Sequence, residues 1–367
     1  MAGDPSVPRS GRTESLTGRV VDWPGVSYSA AVVGVGGVGR RHLDAYRAVD
    51  GIDLVALADV DADLRAERGE EHGVPADRRY ESHGAMLDAE DLDAVSVATP
   101  SHLHHRHVRD VVTADGGPEV VWGEKPVALN LADADDVVAV CEEEGVDLVV
   151  NHTRRFSEAF TSLREHLDDL VGEVRSVQAQ SGRELVRNGT HTVDLLHYLL
   201  GDEATRVGGF LTGEHGMGDG VEDALGRYDD CGGAATVLFD GGTFATVDQT
   251  TPRALADHGL RLVGTGGKLY ASLVGGPWQY WRLEDGEHVE ATPPVPVESA
   301  WSVDAMFENA VAHQVDLLDG AATNRSPPAA AARTLEVLVA AFVSHYTGGF
   351  VDLPLAGPLR DVTITSW

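Results

Sequence analysis

Lysine is nearly absent from this 367-residue chain: of its 28 basic residues only Lys125 and Lys268 are lysines. Cysteine is as scarce. Cys141 and Cys231 are too few for a disulfide framework, and neither stands at a metal-ligand spacing, which points to a reducing cytoplasm. No stretch approaches the roughly 18 uninterrupted apolar residues of a membrane helix. Residues 1–27 lack the apolar core of a signal peptide and read as a mobile tail. Positive charge is outweighed, 28 basic residues against 59 acidic ones, a formal charge of −31. A duplex nucleic acid or an anionic bilayer would be repelled by such a surface. With lysine replaced by arginine and Ala, Gly, Asp and Val abundant, the composition looks like that of proteins from salt-in halophiles, where molar salt shortens the Debye length to about 3 Å.

A hydrophobic content of 43% over this length predicts a sizeable core divided between two domains. From Tyr28 onward, short β runs alternate with helix-compatible stretches: "YSAAVVGVGGVGRRHLDAYRAV", "GIDLVALADVDADLRAERGEEHG" and "LDAVSVATPSHLHHRHVRDVV". That alternation predicts an α/β domain over residues 28–150, a parallel sheet with helices on both faces. After about residue 152 the texture becomes β runs of period two with glycine turns and few helices, as in "GGAATVLFDGGTFATVDQTT" and "LRLVGTGGKLYASLVGG". This predicts an α+β domain over residues 151–356 with a mostly antiparallel sheet. "RTLEVLVAAFVSHYTGG" reads as its closing helix, and residues 357–367 as a C-terminal tail.

Gly34, Gly36 and Gly39, with Gly37 and Val38 among them, form G-V-G-G-V-G after the first strand and before the first helix. The first glycine permits a tight turn, the second lets the backbone approach a pyrophosphate, and the third allows close helix-to-strand packing. Asp59 follows Gly39 by 20 residues, at the end of the second strand. A carboxylate there hydrogen-bonds the ribose hydroxyls and repels a 2′-phosphate, favouring NAD over NADP, and Asp61 adds to that repulsion. Thr99, Pro100 and Ser101 end the next apolar strand on the edge where such sheets bind ligands, and the cofactor edge extends to His104. The histidines at 102, 104, 105 and 107 scatter around a helix with no carboxylate or cysteine at a ligand interval, so no metal is expected.

Glu124, Lys125 and Pro126 end the fourth strand on that same edge. Pro126 holds Lys125 extended and aims its ammonium, and the Lys125–Pro126 bond is a candidate cis bond. Near a cationic nicotinamide and partly desolvated, this lysine is expected to have a lowered pKa suited to a substrate hydroxyl. In "RNGTHTVDLLHYLLG", Asn188, Gly189 and Thr190 make a turn that opens a helix, with Val193, Leu196 and Leu200 on its buried face. His191 lies in the first turn, where the helix dipole favours neutral imidazole, and Asp194 at i+3 is placed to orient the ring.

Together "GVGGVGRRH", "ALADVD", "DAVSVATPSHLHH", "GEKPVAL", "VNHTRRF", "NGTHTVDLL", "GTGGKLY" and "GGFVDLPL" resemble, from about residue 29 to 356, the glucose-fructose oxidoreductase, inositol dehydrogenase and MocA family of NAD(P)-dependent oxidoreductases. The resemblance implies a Rossmann domain, a second domain whose open-faced sheet often mediates oligomer contacts, and an active site between them. It further implies that Lys125 and His191 act on a carbinol or carbonyl carbon while hydride moves to or from nicotinamide. Many relatives carry an aspartate four residues before the histidine; Arg187 stands there in this chain. It either binds an anionic substrate group or faces solvent.

These readings converge on an NAD-dependent dehydrogenase or reductase of a sugar, cyclitol or related polyol. His191 would act as base and Lys125 would polarise the oxygen, with Asp194, Arg187, Asn188 and Arg155 supporting them or binding substrate. A homodimer or homotetramer is expected. The alternatives are an enzyme that recycles tightly bound NAD during glycoside cleavage or epimerisation, and a non-catalytic dinucleotide-binding regulator.

Overall fold

A computed structural model describes residues 27–182, 184–212 and 221–365 of the chain. Apart from Ser27, the expected N-terminal tail lies outside the described residues. The first sheet is built from six parallel strands: β1 (Tyr28–Val33), β2 (Ile52–Ala58), β3 (Arg79–Tyr80), β4 (Ala94–Val97), β5 (Val120–Gly123) and β6 (Asp147–Val150). Their spatial order is β3-β2-β1-β4-β5-β6. Helices α1 (Gly37–Ala48), α2 (Ala62–Glu71), α3 (His83–Ala89), α4 (His104–Val112) and α5 (Leu131–Glu144) connect them. Strand β1 is apolar on both faces because it is covered on both: Ala31 and Val33 enter one core, Ala30 and Val32 the other. Since all six strands run the same way, the chain leaves β1, β4, β5 and β6 at one edge. The strand order reverses between β1 and β4, which opens a crevice there.

The second sheet follows α6 (Glu158–Val171). Its strands are β7 (Val174–Gln180), β8 (Ala204–Leu211), β10 (Gly233–Phe239), β11 (Phe244–Asp248), β12 (Gly259–Gly264), β13 (Gly267–Ser272), β14 (Gln279–Glu284), β15 (Glu287–Ala291) and β16 (Val351–Asp352). All neighbours pair antiparallel except β7 and β11. The fold class is therefore the expected one, a Rossmann sheet followed by a mostly antiparallel mixed sheet. Interspersed are α7 (Gly189–Leu200), the short α8 (Val221–Ala224) with β9 (Arg227–Asp229), α9 (Val303–Leu318) and α10 (Pro328–Thr347).

Three features differ from the sequence reading. The region after residue 152 is richer in helix than its glycine-rich texture suggests, and α9 does not serve the second sheet: Met306, Phe307, Ala310 and Val311 pack with Leu43 and Tyr46 of α1, covering one face of the first sheet. The apparent tail is partly structured, since β17 (Thr363–Thr365) pairs in parallel with β9. Burial of Val362 and Ile364 explains that order.

Candidate active site

At the carboxyl end of β1 the glycine turn has the shape that a pyrophosphate requires. Gly34 has φ +83°, and a Cβ on Gly39 would stand 1.9 Å from the Gly34 carbonyl oxygen, so no side chain fits where α1 leaves the strand. Gly36 and Gly37, by contrast, face open space, with nothing within 4 Å of a would-be Cβ. Helix α1 starts at Gly37 with no side-chain cap and no acidic residue in its first turn. Its N-terminal N–H groups are thereby left for an anion. Gly34, Gly36, Gly37, Val38, Asp59, Thr99 and Pro100 line one cavity of about 590 Å³ around this turn. The Asp59 carboxylate at its edge is fixed by the N–H groups of Val35 (2.8 Å) and Asp61 (2.9 Å). Asp61 itself caps α2, accepting from the Asp63 and Leu64 N–H groups. These residues fit an NAD-type dinucleotide, whose nicotinamide supplies a hydride acceptor.

A second cavity of about 330 Å³ adjoins the first through Val38, which lines both. Lys125 and His191, brought from β5 and α7, both line it, with Glu124 and Asn188 beside them. The Lys125–Pro126 bond is cis. Lys125 Nζ donates to the Arg187 carbonyl oxygen at 2.8 Å. Burial pushes its pKa down, helped by the Arg187 charge and opposed by Glu124, Asp230 and Glu184. Beneath it, Glu124 is buried and accepts from Asn151 Nδ2 at 2.6 Å, with His42 Nε2 at 3.1 Å. Burial alone would raise its pKa, but the His42 contact, the Lys125 charge and the Asn151 hydrogen bond hold it at about 2.

His191 occupies the first turn of α7, as expected, and its imidazole is driven well below its ordinary pKa, mainly by burial and then by the Lys125, Arg154 and His152 charges. The imidazole is therefore neutral at neutral pH. Asp194 does not orient it. Nearly every side of α7 is buried, and Asp194 instead meets the turn after β6. There Arg155 Nε and Nη2 donate to its carboxylate at 2.8–3.0 Å, and His152 Nδ1 lies 3.0 Å from Oδ1. Burial notwithstanding, these two partners hold Asp194 well below the carboxylate range. His152 in turn approaches Thr190 Oγ1 at 3.3 Å and sets its ring edge-on to His191, centroids 6.5 Å apart.

Several sequence expectations are thus redistributed. Arg155 is buried in the Asp194 pair and outside the Lys125 cleft; the neighbouring Arg154 lines that cleft instead, because the turn at Thr153–Phe156 points adjacent side chains in different directions. Arg187 is exposed and contributes its backbone to the site, its side chain being absent from the described lining of the cleft. Asn188 lines the cleft but holds Glu184 (2.6 Å) rather than capping α7. His104 is a buried brace, its ring nitrogens each 2.7 Å from the carbonyl oxygens of Pro126 and Thr99, and so ties the two loops together rather than facing the cofactor cavity. Ser101 starts the turn leading into α4 beside that cavity. Among the described residues no group of three or more His, Cys, Asp or Glu side chains is arranged to hold a metal.

The residues that escaped sequence reasoning include His42, Asn151, His152, Arg154 and Asp230. The Asp230 carboxylate accepts the N–H groups of Val186 (2.9 Å) and Arg187 (2.7 Å), fixing the segment whose carbonyl holds Lys125. Burial raises its pKa to about 6 against those bonds.

Residues 28–152 match the model of an oxidoreductase family with an NAD-binding Rossmann fold. D-apiose dehydrogenase of Paraburkholderia graminis is 33% identical over 211 residues, 51% of this chain and 55% of that protein, so the match spans about half of that relative's length. Myo-inositol 2-dehydrogenase of Thermotoga maritima is 25% identical over 263 residues, covering 66% of this chain and 75% of the other. The crystal structure of aldose-aldose oxidoreductase from Caulobacter crescentus complexed with glycerol superposes with a TM-score of 0.73 at 20% identity, over 89% of this chain and all of that one, a likeness of fold.

Proposed function

Residues 28–152 are the nucleotide-binding domain of the glucose-fructose oxidoreductase, inositol dehydrogenase and MocA family, and on that premise we propose that the chain is an NAD-dependent dehydrogenase or reductase of a sugar, cyclitol or related polyol. The observation that carries the reading is the meeting of Lys125 and His191 in a cleft that opens, past Val38, onto the glycine cradle. Bound NAD supplies the hydride acceptor. In the oxidative direction the neutral His191 imidazole takes the hydroxyl proton of the substrate. The Lys125 ammonium, one of whose hydrogens is held by the Arg187 carbonyl, donates another to the same oxygen and stabilises the developing alkoxide. His152, Asp194 and Arg155 brace the helix that carries His191, and Asp230 fixes the lysine's anchor.

Finer features belong to the same proposal. The fixed Asp59 carboxylate disfavours a 2′-phosphate, so NAD is the cofactor rather than NADP. Phe210, Phe244 and Phe350 are exposed on strands β8 and β11 and beside β16, which supports a homodimer or homotetramer formed through the open face of the sheet. Among the described residues no helix is long and apolar enough to cross a membrane; a cytoplasmic location, supported by the scarcity of cysteine, and work at high salt, supported by the acidic, lysine-poor composition, belong to the same reading. The test is NADH appearance on a panel of polyols and cyclitols in molar KCl. Net NADH with free cofactor supports the reading. Substrate conversion without net NADH marks a recycler, and cofactor binding without any conversion marks a sensor.

A further inference from the structure

Resting on that reading of the cleft as the substrate site, we propose that the substrate is a monosaccharide-sized acid whose carboxylate is bound by Arg154, with Arg253 guiding it at the cleft mouth. The charge of the cleft is opposite to that of the molecule. In a chain of net charge −31, its described lining includes Arg41, Lys125, Arg154 and Arg253, against the single carboxylate of Glu124, already engaged by His42 and Asn151. Arg41 is neutralised by Asp304 at 2.7 Å, whereas among the described residues no carboxylate pairs with Arg154 or Arg253.

Arg154 is the more informative of the two. Its Nη1 reaches only the Leu273 carbonyl oxygen at 3.2 Å, and its Nε is buried with no partner among the described residues. Arg154 is half-buried at the wall of the cleft, and burial lowers its pKa to about 10, as expected of a guanidinium partly withdrawn from water without a counter-charge. That guanidinium, without a carboxylate partner among the described residues, lies beside the catalytic imidazole, whose protonation it opposes. A carboxylate on the substrate completes the arrangement: the planar fork donates to it bidentately, and its distance from the reacting carbon fixes which hydroxyl meets His191 and Lys125. The cleft's ~330 Å³ lies at the low end of the range of about 300–1,000 Å³ for small-molecule sites, which favours a free sugar acid over a nucleotide sugar. The anionic-substrate role that Arg187 suggests by sequence thus falls to Arg154.

The test titrates the enzyme–NADH complex, followed by cofactor fluorescence, with matched pairs: D-glucuronate and D-glucose, D-galacturonate and D-galactose, D-gluconate and D-glucitol. At least one acid should bind about 10- to 100-fold tighter than its neutral partner, the range for hydrogen bonds to a charged group. Arg154→Gln should erase that preference without changing NADH affinity, Arg154→Lys should restore part of it, and the exposed Arg253→Gln should weaken acid binding at low salt more than at high salt. Equal binding of acid and neutral members, a preference untouched by Arg154→Gln, or no response to either member while NADH binds would each overturn the proposal. Failure of the wild-type protein to bind NADH at all would instead overturn the dinucleotide reading on which it rests.

Discussion

Replacing Gly36 and Gly39 separately by alanine divides the role of the glycine turn into folding and binding. At Gly39 the new Cβ would stand 1.9 Å from the Gly34 carbonyl oxygen and 2.9 Å from its carbonyl carbon, both backbone atoms that no side-chain rotation can move. Helix α1 must then shift by about 1 Å from β1, an overpacking cost of about 3 kcal/mol. For a chain of this size, whose unfolding entropy is about 0.8 kcal/mol/K, that corresponds to a fall in Tm of roughly 4 °C. Gly36 has φ −68°, which alanine adopts freely, and nothing lies within 4 Å of its added methyl. Its stability should stay within about 0.5 kcal/mol of wild type. The methyl nonetheless projects where a pyrophosphate must approach the α1 N-terminus, and NADH affinity should fall about 100-fold, equivalent to ~2.7 kcal/mol. Thermal unfolding and NADH fluorescence titration read the two effects independently. A Gly36→Ala variant that binds NADH as tightly as wild type would refute the phosphate-cradle assignment. A Gly39→Ala variant that melts unchanged would refute the packing geometry from which that assignment is built.

Asp230→Ala should lower kcat by about 10- to 100-fold with NADH affinity unchanged, because the segment presenting the Arg187 carbonyl to Lys125 loses its anchor. Asp230→Asn, which keeps one acceptor oxygen, should recover part of it in steady-state kinetics. Arg155→Ala leaves Asp194 buried without its guanidinium partner, and chemical denaturation should show a loss of about 3–5 kcal/mol. On acidification the fold should weaken before most of its carboxylates titrate; Asp230, held at about 6, is the exception and offsets part of the loss as it takes up its proton. His197 is buried and its pKa is lowered to about 4, so the unfolded state takes up its proton first as pH falls below its ordinary 6.5. This one group withdraws about 2 kcal/mol by pH 5, and His104 and His191 act in the same direction. The stability carried by Glu124 persists down to its ordinary 4.5 and disappears only as pH falls towards 2. Thermal melts between pH 7 and 4 should therefore already decline near pH 6.

Much of this architecture is legible in the sequence because local chemistry decides it. The β runs of the first sheet are apolar on both faces, and a strand-glycine-helix unit has few other conformations. The return of α9 to the first sheet is not legible, since periodicity marks a helix without saying which sheet it covers. The i, i+3 spacing sets Asp194 near His191 only if α7 is exposed on that side. The helix is buried nearly all round, so the partner of Asp194 comes from the turn after β6. Asp230 lies 43 residues from the backbone it anchors, a separation that no local sequence pattern spans. Arg154 and Arg155 are adjacent and chemically identical; only the turn's geometry sends one to the cleft and the other to a buried ion pair.

A crystal structure of the protein with NAD bound tests the central claim most directly. The pyrophosphate should lie on the N–H groups at the start of α1, and the nicotinamide should pass Val38 to bring its C4 into the cleft between Lys125 Nζ and His191. A nicotinamide ring held outside that cleft, or a Lys125 and His191 that reach no common substrate oxygen, would contradict the account.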